Sequence, residues 1–327
     1  MAHMIEEKDT MFSVKQTPWH QLGVVLPAAP TIAEAIVAAG LDWEVELKTL
    51  KLADGTDTIG LNHKAVVRKD TNASLGVVGP TWRPLQNKEA FGFFDSFIES
   101  GEVTLETAGS LRNNKTIWVL AKINNASGEV VKNDTIERYV LLSHAHDGTM
   151  AIRTGFTDVR VVCNNTLTAS FNSQASKLIR VKHNSRIERN LDTVKKCMDL
   201  ANSEFKANLE LLKLLANKDI NQNDVKKFVR AIWFDTTILE GTNVNQRALN
   251  NYNDRIRDMN RLMETGRGHD LPGVNGTLYG LYNAATEYLT HEASETVETR
   301  LNSLWFGENS RLNEKILRVS LELAGVA

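Results

Sequence analysis

A chain of 327 residues, 42% hydrophobic and 24% charged, has the composition of an ordinary soluble protein and length enough for a large core and about two domains. No apolar run approaches the ~20 residues that cross a bilayer, and no basic-then-apolar leader opens the sequence, so a cytoplasmic protein without a membrane partner is expected. The formal charge is −2, and the only two cysteines, Cys163 and Cys197, fall on the apolar sides of predicted helices as reduced core residues.

Residues 1–25 read as an arm. Within it, Gln16-Thr-Pro-Trp-His-Gln-Leu-Gly places Trp19 and His20 on a backbone fixed by Pro18 and freed to turn at Gly23. Such an arm docks on a neighbouring subunit or pins itself to its own core. Thr31 then caps a helix over 32–39 that Gly40 ends. Alternation predicts strands over 43–51, 62–68 and 74–78, and helical spacing predicts a helix over 87–99 with Ala90, Phe91, Phe94, Phe97 and Ile98 on its core face. Strands 103–111 and 116–123 follow, joined by the turn-prone Arg112-Asn-Asn-Lys.

The next stretch carries a local excess of positive charge. Asp147-Gly148 between β-prone runs predicts a type I′ hairpin of 139–146 with 149–156. One face then holds Tyr139, Leu141, Ala145, Met150, Ile152 and Phe156 as core, and the other holds His144, His146, Thr149 and Arg153 as a wet, partly cationic surface. Thr157 or Asp158 caps a predicted helix with Val159, Val162, Cys163, Thr166, Leu167, Ser170 and Phe171 inside, and Arg160, Asn164, Asn165 and Thr168 outside. A strand over 177–183 puts Leu178, Arg180 and Lys182 on one side and Lys177, Ile179, Val181 and His183 on the other. Residues 153–196 hold nine Lys and Arg against three acids, a local +6 in a chain of −2. The imbalance points to a polyanion site; the plainer reading is a solvated face with scattered lysines.

From residue 185 the pattern turns helical, with helices over 186–217, 222–234, 244–264, 278–291, 295–305 and 311–324. The hairpins imply antiparallel pairing, so the expected fold is α+β: an antiparallel sheet with helices on one face over 26–184, then a helical domain over 185–327. The catalytic motifs that could be recognised are absent: no GxxxxGK[ST], no GxGxxG after a strand, no CxxC and no HExxH. Gly266-Arg-Gly-His-Asp-Leu-Pro-Gly lacks the strand that a phosphate cradle needs and reads as a loop. His144 and His146, with Asp147 and His183 nearby, offer a metal or nuclease-like site as an alternative; surface or phosphate-contacting histidines are the preferred reading.

Several runs carry a resemblance: Thr17-Pro-Trp-His-Gln-Leu-Gly, Leu85-Gln-Asn-Lys-Glu-Ala-Phe, Thr107-Ala-Gly-Ser-Leu, His146-Asp-Gly, Val159-Arg-Val-Val-Cys-Asn-Asn-Thr-Leu and Asn283-Ala-Ala-Thr-Glu-Tyr. They resemble, in order and over nearly the whole chain, the phage/plasmid-like protein family of unknown function. Gln21 stands where that family usually has Gly. The order of elements from 62 to 171 also resembles the shared core of single-strand annealing proteins of the RecT, Red-beta and Rad type. That resemblance implies an ATP-independent, ring- or filament-forming protein holding DNA in a basic groove between a hairpin and a helix.

Together these readings predict a non-enzymatic protein, without cofactor or metal, that binds and anneals single-stranded DNA as a homo-oligomer in phage or plasmid recombination. Arg153, Arg160, Lys177, Arg180, Lys182, His183 and Arg186 would meet phosphates, and Asn164 and Asn165 sugars or bases, while Trp19 and His20 would bridge subunits. A host single-strand-binding protein is a further expected partner. The alternatives are an interaction protein acting on a host factor such as a defence nuclease, and a metal-dependent enzyme built on His144, His146 and Asp147.

Overall fold

The computed structural model describes residues 10–15, 23–51, 55, 62–160, 165–167, 179–181, 183, 198–234, 245–293, 303–304 and 307–326. The fold is α+β, rich in antiparallel pairing, with a helical C-terminal region. The strands are β1 (Met11–Val14), β2 (Val24–Leu26), β3 (Val45–Thr49), β4 (Lys64–Arg68), β5 (Ser74–Val78), β6 (Val103–Leu111), β7 (Thr116–Val131), β8 (Asp134–Ala145), β9 (Ile152–Arg160), β10 (Asn165–Leu167) and β11 (Ile179–Val181). One sheet runs β10-β9-β8-β7-β6-β1-β2, with β11 also paired to β9, and a second runs β3-β4-β5. Only β1 and β2, among the registers resolved, pair in parallel.

The described residues divide into two compact units. The first draws on 1–125, 139–156 and 177–201, and the second on 126–138, 157–176 and 202–327. In the first, Thr31 caps α1 (Ile32–Ala38) through a capping box: its hydroxyl accepts from the Glu34 N–H at 3.3 Å, and the Glu34 carboxylate accepts the Thr31 N–H at 2.8 Å. The predicted helix over 87–99 is two short helices, α2 (Asn87–Gly92) and α3 (Asp95–Glu99), broken at Phe93 and Phe94. Ala90, Phe91, Phe94 and Phe97 are buried as expected, and Ile98 is half-buried. The Arg112–Lys115 turn reverses β6 into β7 through three successive left-handed residues, Arg112, Asn113 and Asn114.

Three expectations for the central stretch are overturned. The turn at 147–148 is not a two-residue type I′ turn. Only Gly148, at φ 77°, is left-handed there, whereas that turn needs both central residues so. The Asp147 carboxylate instead accepts the Thr149 N–H at 2.9 Å, and β8 ends at Ala145 while β9 begins at Ile152. The second correction is the wet face: His144 and His146 have no exposed surface, because β8 is buried on both sides. The third is the helix from 157. The chain continues as β9 to Arg160 and returns as β10, with Asn165 opposite Arg160 and Leu167 opposite Asp158. Val159, Val161 and Val162 fit a strand at least as well as a helix, and Asp158 is already engaged elsewhere.

That engagement organises the second unit. Arg138 and Asp158 are both buried, and the guanidinium donates to the carboxylate twice, Nε to Oδ1 at 2.7 Å and Nη2 to Oδ2 at 3.0 Å. The guanidinium lies 5.3 Å from the centre of the Phe205 ring. Burial pushes the Asp158 carboxyl above its ordinary value, while Arg138 pulls it down. The helices of this unit are α4 (Met198–Ala216), α5 (Gln222–Trp233), α6 (Gln246–Thr265), α7 (Leu278–Glu287) and α8 (Glu308–Ala324). α7, buried along its whole length, packs against α6 and α8, and α5 packs against both of those. A π-helical turn, Tyr288–Glu292, extends α7 to His291 and beyond. The helix expected over 295–305 lies outside the described residues, except for 303–304.

Arg138→Met leaves a buried carboxylate without its counter-ion and is expected to cost about 3–5 kcal/mol of stability. Arg138→Met combined with Asp158→Leu removes both charges and is expected to recover most of that loss. Urea denaturation of the three proteins checks it.

Candidate functional site

Of the residues expected to hold nucleic acid, Arg153 and Arg160 stand on β9, Asn165 on β10 and Arg180 on β11. β11 runs antiparallel to the start of β9 and sets Arg180 directly opposite Arg153, with Ile179 opposite Thr154 and Val181 opposite Ile152. Arg153 is half-buried. Arg160 and Asn165 face each other at the other end of β9. Arg153 and Arg160 are seven residues apart on one continuous strand, not across a hairpin–helix junction. Asn164, Lys177, Lys182 and Arg186 lie outside the described residues, as do Trp19 and His20 of the arm.

His183 is not on the surface. It is 7% exposed and sits in the first unit within an interior cluster that joins β8 to the segment before α2. His144 lies between His146 and His183, with ring centres 4.7 Å and 5.9 Å away. Two tryptophans close the series: Trp43 is 5.3 Å from His146, and Trp82 stacks on His183 at 4.9 Å. The Arg68 guanidinium lies over the outer side of this series, 4.3 Å from the Trp43 ring centre.

Local structure fixes His146 and His183. Asn87 is buried at the start of α2, and its amide nitrogen donates to the carbonyls of Leu41 at 3.0 Å and Trp43 at 3.2 Å. Its Oδ1 therefore faces His146 Nε2, 2.9 Å away, and an amide oxygen only accepts, so that nitrogen carries the proton. His183 exchanges bonds with Arg83: the Arg83 N–H donates to the His183 carbonyl at 3.0 Å, and His183 Nδ1 meets the Arg83 carbonyl at 3.1 Å. Nδ1 of His183 is the protonated nitrogen for the same reason. His146 Nδ1, His183 Nε2 and both nitrogens of His144 are buried without a hydrogen-bond partner among the described residues. Each such group costs on the order of 1–3 kcal/mol when nothing fills its place.

Asp147, the expected companion of these histidines, belongs to the loop instead. Its carboxylate takes Arg112 Nη2 at 2.9 Å and the Thr149 N–H, while Arg112 Nη1 donates to the Thr149 hydroxyl at 3.0 Å. The loop lies hard against β5, where a Cβ on Gly76 would come within 2.6 Å of the Asp147 Cα. Asn87, Trp43, Trp82 and Arg83 were not singled out as site residues by spacing. The one signal was Pro80-Thr-Trp-Arg-Pro, a tryptophan and a cation held between two prolines.

Burial drives all three imidazoles toward the neutral form. His146 is pushed down to about 3, first by desolvation and then by His183, and His183 to about 4 by desolvation. His144 lies well below its ordinary value for the same cause, with His146 and His183 adding to it. The unfolded chain binds these protons near pH 6.5 and the folded chain resists them. The contribution to stability is therefore complete above that value and lost as pH falls toward 4. In a buffer containing chelator, stability is expected to fall between pH 6.5 and 4 by up to about 1.4 kcal/mol per pH unit for each histidine. His146→Gln should shallow that slope in pH-dependent urea titrations.

No curated protein and no solved structure matches the chain. The family described as Domain of unknown function (DUF932) matches residues 74–317, a span that includes all three histidines, the Arg153–Arg180 ladder and the Arg138–Asp158 pair. Covering some three quarters of the sequence, that match establishes that the chain belongs to the DUF932 family.

Proposed function

We propose that this protein binds single-stranded nucleic acid and anneals complementary strands without ATP, as a homo-oligomer and with no catalytic step of its own. The observation that carries the reading is the cross-strand pair of Arg153 and Arg180. Directly opposed residues of an antiparallel ladder have Cα atoms about 4.5–5.5 Å apart, and two arginines at one ladder position suit a phosphate backbone.

Charge around the pair supports the same reading. The segment 153–196 is +6. One of its three acids, Asp158, is internally neutralised by Arg138 and does not offset the cations outside. Arg83, exposed and joined through its backbone to His183 just beyond β11, adds another cation in the same unit. Binding of this kind is dominated by backbone phosphates and indifferent to sequence.

Arg153→Ala with Arg180→Ala is expected to weaken binding to a single-stranded oligonucleotide. The slope of log K against log salt should become shallower by about 0.7 for each lost phosphate contact. Lys206→Ala, on the exposed side of α4, serves as the control and should leave both quantities unchanged. Fluorescence anisotropy over a salt series reads affinity and slope, and light scattering reads assembly on the oligonucleotide. Salt-insensitive or absent binding in the parent protein would contradict the proposal and favour a protein partner.

A further inference from the structure

We propose that Trp82 is a stacking platform for one base of a bound single strand, beside the Arg153–Arg180 pair. The proposal rests on the nucleic-acid reading above and adds to it a contact that is not electrostatic. Cations hold the phosphates of a single strand, while aromatic faces hold its bases, whatever the sequence, because every base has a π-face.

Residues 79–84 build a rigid mount for the ring. β5 ends at Val78, and Gly79-Pro-Thr-Trp then makes a turn in which the Trp82 N–H donates to the Gly79 carbonyl at 3.2 Å. Pro80 stands at the second position of that turn, where its fixed φ of about −65° fits. Directly after the ring, the Arg83 N–H donates to the His183 carbonyl at 3.0 Å, and the Arg83 carbonyl accepts from His183 Nδ1 at 3.1 Å. Trp82 is thus tied down on both sides, and a base that stacks on it has little chain left to order.

One face of the indole is already covered. It stacks on His183 with ring centres 4.9 Å apart and planes 20° apart. The Nε1 edge is buried, without a partner among the described residues, yet the side chain as a whole is only half-buried. The surface it shows is therefore left to the opposite face and the carbon rim. Thr81 and Arg83, on either side of it, are exposed.

The chain also brings the ring close to the arginine pair. His183 comes three residues after Arg180, a stretch that spans at most about 11 Å. Arg180 in turn lies opposite Arg153, and all four residues belong to the first unit. A strand whose phosphates meet the two arginines therefore runs within reach of Trp82.

The test uses fluorescence anisotropy on the full-length protein, with a labelled thymidine oligonucleotide and an abasic strand of the same length. Trp82→Ala is expected to weaken binding to the oligonucleotide by about tenfold. The slope of log K against log salt should stay as in the parent, because an uncharged ring releases no counterion. That is the reverse of the double arginine variant, which alters the slope. Binding to the abasic strand should not change, and Trp82→Phe should keep most of the affinity. Irradiating the parent on an oligonucleotide that carries 5-iodouracil, then mapping the crosslink by mass spectrometry, gives a readout independent of any variant's folding. The crosslink is expected at Trp82. Unchanged affinity in folded Trp82→Ala, an equal loss on the abasic strand, or no crosslink at Trp82 in a parent that binds would each overturn the proposal and leave the annealing reading standing. A parent that binds neither strand would remove both.

Discussion

The first unit depends on one buried amide. Asn87 spends both amide protons on the Leu41 and Trp43 carbonyls, which leaves its oxygen as the only group available to His146. The direction of that bond decides which nitrogen of His146 is protonated and which is bare. His183 is settled in the same way by the Arg83 carbonyl, and His144 lies between them. A row of neutral rings, from Trp43 through the three histidines to Trp82, therefore joins β8, the segment before α2 and the residue after β11. Charge on these imidazoles would have to be desolvated, which is why burial holds them neutral far below their ordinary titration range.

The second unit handles a polar interior differently. Arg138 and Asp158 are both buried, and their two parallel hydrogen bonds satisfy most of what burial strips away. Asp158 stands on β9, the strand whose other end opposes β11, so one strand supplies an inward-held acid and a half-buried arginine.

Much of the framework was legible in the sequence. Ser74–Val78 and Val103–Leu111 are both strands with the predicted bounds. Thr31 and Glu34 announce α1, and the period of 3.6 places α5, α6 and α8 within a few residues. The central stretch misled for a physical reason. Val159-Arg-Val-Val has apolar residues that satisfy both helical and strand spacing over a short run, and a capping aspartate looks the same as one reserved for a buried arginine. Asp147-Gly148 promised a tight turn, yet the aspartate folds back on Thr149 and lengthens the loop. The histidine cluster was hidden more deeply. Alternation along β8 puts His144 and His146 on one side, but only the tertiary arrangement shows that this side is covered, that His183 arrives 37 residues later in the chain, and that Asn87 orients the group.

The central claim is that these histidines are neutral, buried and fixed in opposite tautomers. Long-range proton–nitrogen NMR correlation on protein labelled at the histidine ring nitrogens, in chelator and at pH 7, measures it most directly. The account predicts His146 protonated on Nε2 and His183 on Nδ1, each with an unprotonated second nitrogen, and no imidazolium signal from either down to about pH 5. Imidazolium at neutral pH, or averaging of the two tautomers in either ring, would contradict it.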